Sequence, residues 1–538
     1  MSTEVLAELV RVLLLTTAER NKALQRASCS TLCELIEAGD TCLFPYVVPI
    51  CRAVAAAFGH YQLISVQLLY DLIGTISRCF GNAMANEEVL SLVVPPLMAH
   101  LERYALPDDP CSIPLLDCFI SLIRAAGPAL NSIATTLIGR ACTMLHASIS
   151  AAQQHVEAAR TANVAVVFFD GYGFLVTGLE LINALMVALG PAFDHLLAAC
   201  EAAAATATPG TVQPSRSFIL EAVMACAQLP TEIGFEEGDA RFTAFALVGD
   251  MASFAPTLVY PILAPTGASP GTPGVASSMV QMMVLSMSPD DANLDYLNAK
   301  TVNNALWGTG EVAMQLMRAG AGGSEIFCAN MPSPPWWGNA VQLIGPSVAH
   351  VQSNAAAASV PAIDAMLTAL TLLLQKDHSQ LEPTMLENFA ITMGRIALVD
   401  SLAPRVAAYF HLIIIPWVRC CRRIEMIDEK LHAFQGLMAM IEANPAALAQ
   451  HGGEGFCQVC KRKSLQQQTA TTTPATKKKR QRSTLFCCCC WLIPATHTSL
   501  SLVLVLLSLL LSFSLLFSSF SSTDCNWHLN VGRRGPNR

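Results

Sequence analysis

The sequence has few charged residues and no complete motif for catalysis or nucleotide binding. Only 13% of its 538 residues are charged, whereas 53% are apolar, so much of the chain must be buried. The segment 308–310 lacks the Lys-Ser/Thr ending of a P-loop, and no Ser/His/Asp arrangement or pair of carboxylates stands out. Cys457 and Cys460 form a single CxxC motif without the second pair that a zinc site needs. We therefore predict a protein that is not an enzyme and that binds no cofactor or metal.

Strand patterns and secretion signals are also scarce. Runs of alternating polar and apolar residues are hard to find, and the first 20 residues carry acids early, as an amphipathic helix does, rather than the apolar core of a signal peptide. Cysteines such as Cys29, Cys51 and Cys118 are scattered singly through apolar helical segments. This pattern is typical of small core residues in a reducing compartment rather than of a disulfide framework.

The net charge of −8 combines two regions of opposite sign. Residues 457–538 hold 11 Lys and Arg and one acid, which leaves 21 basic and 39 acidic residues, a net charge of −18, in residues 1–456. Phosphates would be repelled by such a body, so we expect no direct binding of nucleic acid. Basic proteins or peptides are the favoured partners.

One unit recurs from the start of the chain to about residue 450: an apolar helix, a short break and a second apolar helix. Where no insertion intervenes, the period is about 40 residues, as expected of HEAT or armadillo units. Such pairs bury their apolar faces only by stacking, so the predicted fold of residues 1–455 is all-α, a curved α-solenoid of HEAT repeats. The predicted pairs are 4–17 with 22–38, 44–58 with 61–79, 87–104 with 112–126, 130–158 with 168–190, 216–228 with 238–254, 278–287 with 297–318, 338–350 with 360–375, and 383–398 with 403–420, followed by a last helix near 427–443.

Three stretches rich in small and turn-forming residues are predicted to be loops inserted into the array: 202–216, 264–277 and 319–338. Loops of this kind usually decorate a solenoid without binding anything. The last one contains Trp336 and Trp337, which we expect to be exposed and available as a contact point.

The tail differs in composition from the rest of the chain. Residues 456–498 are predicted to be a disordered basic, Cys-rich linker, and residues 521–538 a disordered end. Between them, the uncharged Leu/Ser run 499–520 has about the length that crosses a bilayer. It is either a C-terminal membrane anchor or a misread end of the sequence, and the second interpretation is favoured because the composition matches nothing before it.

The stretch 301–311 (TVNNALWGTGE) places three unusual side chains on one helical line. Asn303, Trp307 and Glu311 are spaced at i, i+4 and i+8 beside an apolar stripe. A binding surface would use the indole for stacking and the polar groups to hold a partner.

Other second helices also carry polar groups inside apolar sequence, namely Glu37, Asp71, Thr75, Glu180, Asp250, Asn388 and Thr392. Each one alone is best explained as a cap or as a bond to a neighbouring helix. Together, at equivalent places, they are expected to line one face of the array and to form a peptide groove.

Several strings resemble the transportin family of karyopherin-β nuclear import receptors. They are LLYDLIGT (68–75), FALVGD (245–250), NNALWGTGE (303–311), LENFAITMGRI (386–396), and PWVRCCRRI (416–424) followed by EKLHAFQGLMAMIEANP. The resemblance covers roughly residues 5–450 and is to the C-terminal half of the family. It implies a receptor that shuttles between cytoplasm and nucleus, binds cargo proteins through basic proline-tyrosine nuclear localisation signals, and contacts nucleoporins.

The resemblance also implies which residues bind the signal. They are Glu37, Asp71, Thr75, Val176, Glu180, Asp250, Asn304, Trp307, Asn388 and Ile391. The acids would pair with basic residues of the signal, Trp307 would pack on its apolar or proline-tyrosine portion, and Asn304 and Asn388 would bond its extended backbone. The family's N-terminal half binds Ran-GTP, and we expect this chain to be a truncated form without that half, so that Ran-GTP would bind only if the half were supplied.

Two other classes of protein remain open. A HEAT-repeat scaffold of the phosphatase-scaffold type would use the ridges between repeats and would need no inward tryptophan. A tail-anchored helical membrane protein would use residues 499–520 as its anchor.

Overall fold

The computed structural model describes residues 3–104, 111–165, 169–204, 212–230, 240–258, 275–288, 296–318, 324–344, 348–352, 354, 356–376, 378–379 and 381–444. The chain divides into two units, Met1–Ala447 and Leu448–Arg538. The fold below is that of the first unit. The predictions made for residues 456–538, including the CxxC motif and the Leu/Ser run, lie outside the described residues.

The described part of the chain is built almost entirely of α-helices. The first eleven are α1 (Thr3–Thr17), α2 (Lys22–Gly39), α3 (Val47–Phe58), α4 (Leu63–Phe80), α5 (Glu87–Arg103), α6 (Ser112–Ala126), α7 (Asn131–Thr161), α8 (Tyr172–Leu189), α9 (Ala192–Ala204), α10 (Arg216–Gln228) and α11 (Ala240–Phe254). The others are α12 (Val275–Leu285), α13 (Tyr296–Arg318), α14 (Ser324–Cys328), α15 (Trp337–Ile344), α16 (Ala349–Gln352), α17 (Ala362–Gln375), α18 (Pro383–Ala397), α19 (Ala403–Cys421) and α20 (Ile427–Ala443). Three 3-10 helices (Asp40–Tyr46, Gly81–Ala85, Gly127–Leu130) and two strands, β1 (Asn330–Pro332) and β2 (Ser359–Pro361), complete the set.

These helices pack as two layers of a repeat array. The first helices of successive pairs contact one another in the series α1, α3, α5 and again in the series α7, α10, α12, α17, α19. The second helices follow the series α2, α4, α6, α8, α11, α13, α18, α20. Each first helix also contacts the second helix of its own pair. The predicted all-α HEAT-repeat solenoid is confirmed.

Helix faces follow the apolar spacing in the sequence. In α1, the buried residues Leu6, Val10, Leu13 and Thr17 recur at steps of three and four and face α2 and α3. Second helices have contacts on more sides, and in α18 an unbroken run from Phe389 to Ala397 is buried. The core therefore lies between the two layers and between neighbouring second helices.

Three second helices end in the same way. Gly81, Gly127 and Gly190 follow α4, α6 and α8, and their φ angles are +50°, +58° and +52°. A side chain would strain this backbone, so glycine at these positions stops the helix and turns the chain toward the next repeat. The repeated ending marks equivalent positions in consecutive units.

The predicted pairing is wrong after residue 318. The structure pairs α17 with α18 and α19 with α20, and residues 324–361 form an insertion of short elements before α17. The spacing of apolar residues could not determine which helices pair here. The segment 338–350 is apolar enough to predict a long helix, but the residues that the structure describes in this region form only the short helices α15 and α16. The helix α9, which packs on α7 and α8, was also not predicted.

The insertion is packed on the array rather than projecting from it. Its strands pair antiparallel, with Met331 opposite Val360. Trp336 and Trp337 are 4% and 2% exposed, and the indole N–H of Trp337 donates to the carbonyl of Asn354 at 3.0 Å. The expectation that this tryptophan pair is exposed is wrong, since both side chains are buried.

Buried Asp364 at the start of α17 fastens the insertion to the last repeats. Its two carboxylate oxygens accept from Nη1 of Arg405 at 2.8 and 2.7 Å, and Nε2 of His350 lies 3.4 Å away. Arg405 belongs to α19 and His350 to α16, so one carboxylate holds three elements together.

Two stretches of the described residues are long and apolar enough to cross a membrane by length and composition alone, Ser112–Thr161 and Tyr172–Leu189. Most of each apolar window is buried inside the array, 56% and 61% respectively. Core helices of repeat proteins pass the same test, so these stretches are weak support for a membrane span. The described cysteines are free thiols, and most of them are buried as predicted.

The backbones of α18 and α20 approach each other closely. A Cβ atom built on Gly436 would lie 2.2 Å from the carbonyl oxygen of Gly394, and one built on Gly394 would lie 2.5 Å from the Cα of Ala433. The nearest atoms to each added Cβ belong to the backbone of the neighbouring helix, so no flexible side chain could move aside to relieve the clash.

We expect Gly436→Ala to destabilise the last repeats by about 1–3 kcal/mol, because the added methyl must push two helix backbones apart. Gly139→Ala is the matched control: it also adds a methyl inside a helix, α7, but nothing lies within 4 Å of its Cβ. Thermal unfolding with hydrogen exchange over α18 and α20 measures the effect. Equal behaviour of the two variants would contradict the close packing described above.

Candidate functional site

Three acids occupy the same register on consecutive second helices. Asp71, Asp117 and Glu180 each stand ten residues before the glycine that ends α4, α6 and α8 respectively. Because these helices pack side by side, the equal register places the three carboxylates on one line across the layer. We call Asp71, Asp117 and Glu180 the acidic row.

Two arginines alternate with the acidic row. Arg78 and Arg124 each follow an acid of the row by seven residues, two turns along α4 and α6. Arg124 lies 3.3 Å from Glu180 of the next helix, and both side chains are about 40% exposed. Nη2 of Arg78 donates to the hydroxyl of Thr75 at 2.9 Å. An ion pair this exposed contributes on the order of 1 kcal/mol or less, so a ligand can displace it.

The charges of the acidic row influence one another. Burial, together with the neighbouring Glu180 and Asp71, raises the pKa of Asp117 to about 6, and Arg124 opposes the rise. Burial also raises the pKa of Asp71, against the effect of Arg78. Although Asp117 reaches solvent, the surrounding protein leaves its carboxylate poorly hydrated. Acids held this close, with few counter-charges, favour a positively charged ligand.

Glu37 extends the row by one helix. It is exposed on α2. Burial is the main cause that raises the pKa of the Cys33 thiol, and both Asp71 and Glu37 add to the rise. Glu37 and Asp71 therefore lie near the same thiol, and Glu37 is close enough to interact electrostatically with the acidic row.

Trp307 lies farther along the same layer, on α13. Its indole rests on Gly249 of α11, where an added Cβ would come within 2.2 Å of Cζ3. The side chain is only partly buried, so some of the ring surface reaches solvent. Glycine at 249 makes room for the indole between the two helices, and the exposed part of the ring can stack on a ligand.

The polar groups around Trp307 join neighbouring helices. Nδ2 of Asn304 donates to the carbonyl of Phe242 at 3.0 Å, and Nδ2 of Asn388 donates to Oδ1 of Asn303 at 2.9 Å. Asp250, 6% exposed, accepts from Nδ2 of Asn183 at 2.7 Å. Asp250, Asn304 and Asn388 thus have hydrogen bonds between helices. For Asp250 and Asn388 this is the alternative that the sequence left open.

Glu311 is part of the core rather than of a surface line with Asn303 and Trp307. Its carboxylate lies 2.6 Å from Nη2 of Arg395 and accepts from the hydroxyl of Ser253 at 2.7 Å. Both members of the ion pair are buried. The pair ties α13 to α11 and α18, and the expectation that Glu311 shares a binding surface with Trp307 is wrong.

The remaining predicted residues differ in exposure. Val176 is partly exposed one turn before Glu180 on α8, beside the acidic row. Thr75 is 3% exposed and Ile391 is 1% exposed, so the free chain offers little of either side chain to a ligand. Of the ten predicted contacts, Thr75, Asp250 and Ile391 are buried. The others reach solvent at least in part, and two of these, Asn304 and Asn388, also hold hydrogen bonds between helices.

Asp117 is the acid that the sequence reasoning missed. The signal was present, because Asp71, Arg78 and Gly81 recur as Asp117, Arg124 and Gly127, each shifted by the same 46 residues. An alignment of LLYDLIGTISRCFG with LLDCFISLIRAAG on the acid, the arginine and the glycine would have found it. Among the described residues, no three His, Cys, Asp or Glu side chains gather as a metal site would require.

Comparison with known proteins finds relatives along most of the chain. Transportin-1 of Oryza sativa subsp. japonica is 25% identical over 451 residues, 83% of this chain and 40% of that protein. Importin subunit beta-2 of Schizosaccharomyces pombe is 26% identical over 446 residues, 82% of this chain and 39% of that protein. Transportin-1 of Homo sapiens is 25% identical over 449 residues, with 83% and 39% covered. The chain thus spans about 40% of the length of these relatives.

Other comparisons add little. No family model matches the chain. Two solved structures, the N-terminus of TSC2 and an engineered protein, cover 83% and 80% of this chain at 10% and 14% identity. Their TM-scores of 0.29 and 0.25 are too low to carry an argument. The sequence relatives confirm the predicted resemblance and support a transportin-type member of the karyopherin-β family.

Proposed function

We propose that the chain is a nuclear import receptor that binds basic localisation signals of cargo proteins along its second-helix layer. The acidic row is the observation that carries the proposal, because three carboxylates in equal register form a ready site for a segment with spaced Lys or Arg residues. The relatives named transportin and importin support the import role.

The signal would lie across the helices, not along one of them. Its basic residues would pair with Asp71, Asp117 and Glu180, with Glu37 at one end. Its apolar portion, a proline-tyrosine pair in the class predicted from the sequence, would stack on the exposed part of Trp307. Asp250, Asn304 and Asn388 would act indirectly, because their bonds between helices hold α8, α11, α13 and α18 in place.

The wider transport cycle belongs to the same proposal. Shuttling between cytoplasm and nucleus and contact with nucleoporins follow from the import role, and Ran-GTP would act through parts of the relatives that this chain does not match. We propose no catalytic step. A scaffold function has no specific observation in its favour, since the acids in register lie on the second helices and not on ridges between repeats.

We expect the triple variant Asp71→Asn/Asp117→Asn/Glu180→Gln to lose about 2 kcal/mol or more of binding free energy for a basic proline-tyrosine peptide, because three charge-assisted contacts are removed. Fluorescence anisotropy with the labelled peptide measures the loss. The control Glu88→Gln/Glu157→Gln removes exposed acids, each paired with an arginine, from first helices.

A peptide with its Lys and Arg residues changed to Ala separates charge pairing from general damage. The triple variant and the parent chain should bind this peptide equally weakly. Unchanged affinity of the triple variant for the basic peptide would refute the site, and loss in the control variant as well would assign the effect to net charge alone.

Removal of Arg124 should tighten binding of the basic peptide. Arg124 occupies Glu180 in the free chain, so Arg124→Gln frees that carboxylate, and we expect a gain of about threefold in affinity. Arg160→Gln, which frees Glu157 on a first helix, is the matched control. Weaker binding of the Arg124 variant would mean that Arg124 contacts the ligand favourably.

Peptide affinity should rise with pH between about 5 and 7, as Asp117 ionises. Its folded pKa of about 6 lies above the ordinary value of 3.8. The folded chain therefore keeps this proton where the unfolded chain has lost it, and ionisation lowers stability while it creates the charge that a basic peptide needs. Carboxyl NMR of Asp117 and anisotropy across this range test the link. Asp117→Asn should flatten the pH profile, and a profile that keeps its slope in this variant would contradict the assignment.

A further inference from the structure

A basic cleft opens between the C-terminal ends of α17 and α19. It has a volume of about 480 Å³. Lys376, Arg419, Arg422 and Arg423 line it together with His378, Leu374, Gln375 and Pro416. No acid is present among the described residues that line the cleft.

The three arginines belong to one short segment at the end of α19, and all of them line the same cleft. Arg419 and Arg423 are exposed, while Arg422 and Lys376 are partly buried. Along the sequence, the acids next to these residues are Asp377, outside the described residues, and Glu425. The four Lys and Arg residues that line the cleft outnumber these two acids. The cleft is therefore positively charged, although residues 1–456 as a whole are acidic.

Helix-end electrostatics account for only part of this charge. The last carbonyls of α17 and α19 carry a partial negative charge that one cation near each end compensates. His378 already serves α17, since its Nε2–H donates to the carbonyl of Leu374 at 2.9 Å. Arg419 stands in the last turn of α19. Arg423, which is exposed, adds a further cation beyond this need.

The cleft is separate from the acidic row. It lies at the ends of first helices, α17 and α19, whereas the acidic row lies on the second helices α4, α6 and α8. Ligands of opposite charge could therefore occupy the two sites at once. Guanidinium groups match phosphate oxygens in geometry and charge, and the volume exceeds what a single phosphate fills.

We propose that this cleft binds a compact ligand with several phosphate groups, either a soluble inositol phosphate or the headgroup of a phosphoinositide lipid. Arg419 and Arg423 hold phosphate oxygens at the open side, and Arg422 and Lys376 add positive charge to the lining. This site goes beyond the proposed cargo binding and would give the receptor a second, oppositely charged contact.

Titration calorimetry of the full chain with inositol hexakisphosphate tests the proposal. We expect saturable binding that weakens at least about tenfold in Arg419→Gln/Arg423→Gln, since each substitution removes a charge-assisted contact. Arg419→Lys/Arg423→Lys keeps the charge without the forked geometry and should lose less. The control Arg20→Gln/Arg26→Gln removes two exposed arginines from the first repeat and should bind like the parent chain.

A second arm distinguishes the two sources of phosphate. If phosphatidylcholine vesicles containing a phosphatidylinositol bisphosphate sediment the chain and free inositol hexakisphosphate releases it, the lipid is the source. If they do not, while the soluble compound binds at the cleft, the soluble ligand is the source. Absence of inositol hexakisphosphate binding, or equal binding by the parent chain and the Arg-to-Gln double variant with unchanged thermal stability, overturns the proposal.

Discussion

Close packing between consecutive second helices is the constraint on which the rest of the structure depends. No single helix pair can bury its apolar faces, so each second helix must fit against the next. Small residues make the fit: an added Cβ would lie 2.2 Å from the ring of Trp307 at Gly249, 2.9 Å from the carbonyl of Phe245 at Gly308, and 2.2 Å from the carbonyl of Gly394 at Gly436. Larger side chains at these places would separate the repeats.

The same constraint determines which polar groups remain accessible. From α11 to α20 the backbones approach closely, and polar side chains there are drawn into bonds between helices, as with Asn304 and the pair of Glu311 and Arg395. On α4, α6 and α8 the three acids of the acidic row stand on helix faces that reach solvent. The proposed binding surface therefore uses acids that the contacts between helices leave accessible, and the tightly packed helices hold it in place.

Charge is divided between the two layers. The acidic row lies on second helices and the basic cleft at the ends of first helices, so each can attract its own ligand without neutralising the other. Within the acidic row, Arg78 and Arg124 reduce the repulsion between carboxylates that the fold brings together. A basic ligand replaces these arginines only where it offers better geometry, and this favours a spaced series of cations over a single one.

The sequence by itself determined most helix bounds, the repeat class, the buried cysteines and the resemblance to transportin, because each of these depends on local spacing or on extended strings of residues. It also contained the 46-residue recurrence that identifies Asp117. Only the tertiary structure decided which helices pair after residue 318, that Trp336 and Trp337 are buried, and that Glu311 meets Arg395 in the core. Periodicity shows which face of a helix is apolar, but the partner of a polar side chain is set by the neighbouring helix. Trp307 depends on both the sequence pattern and the neighbouring helix. The sequence identified the side chain as a candidate for binding, and its packing on Gly249 decided how much of the ring a ligand can reach.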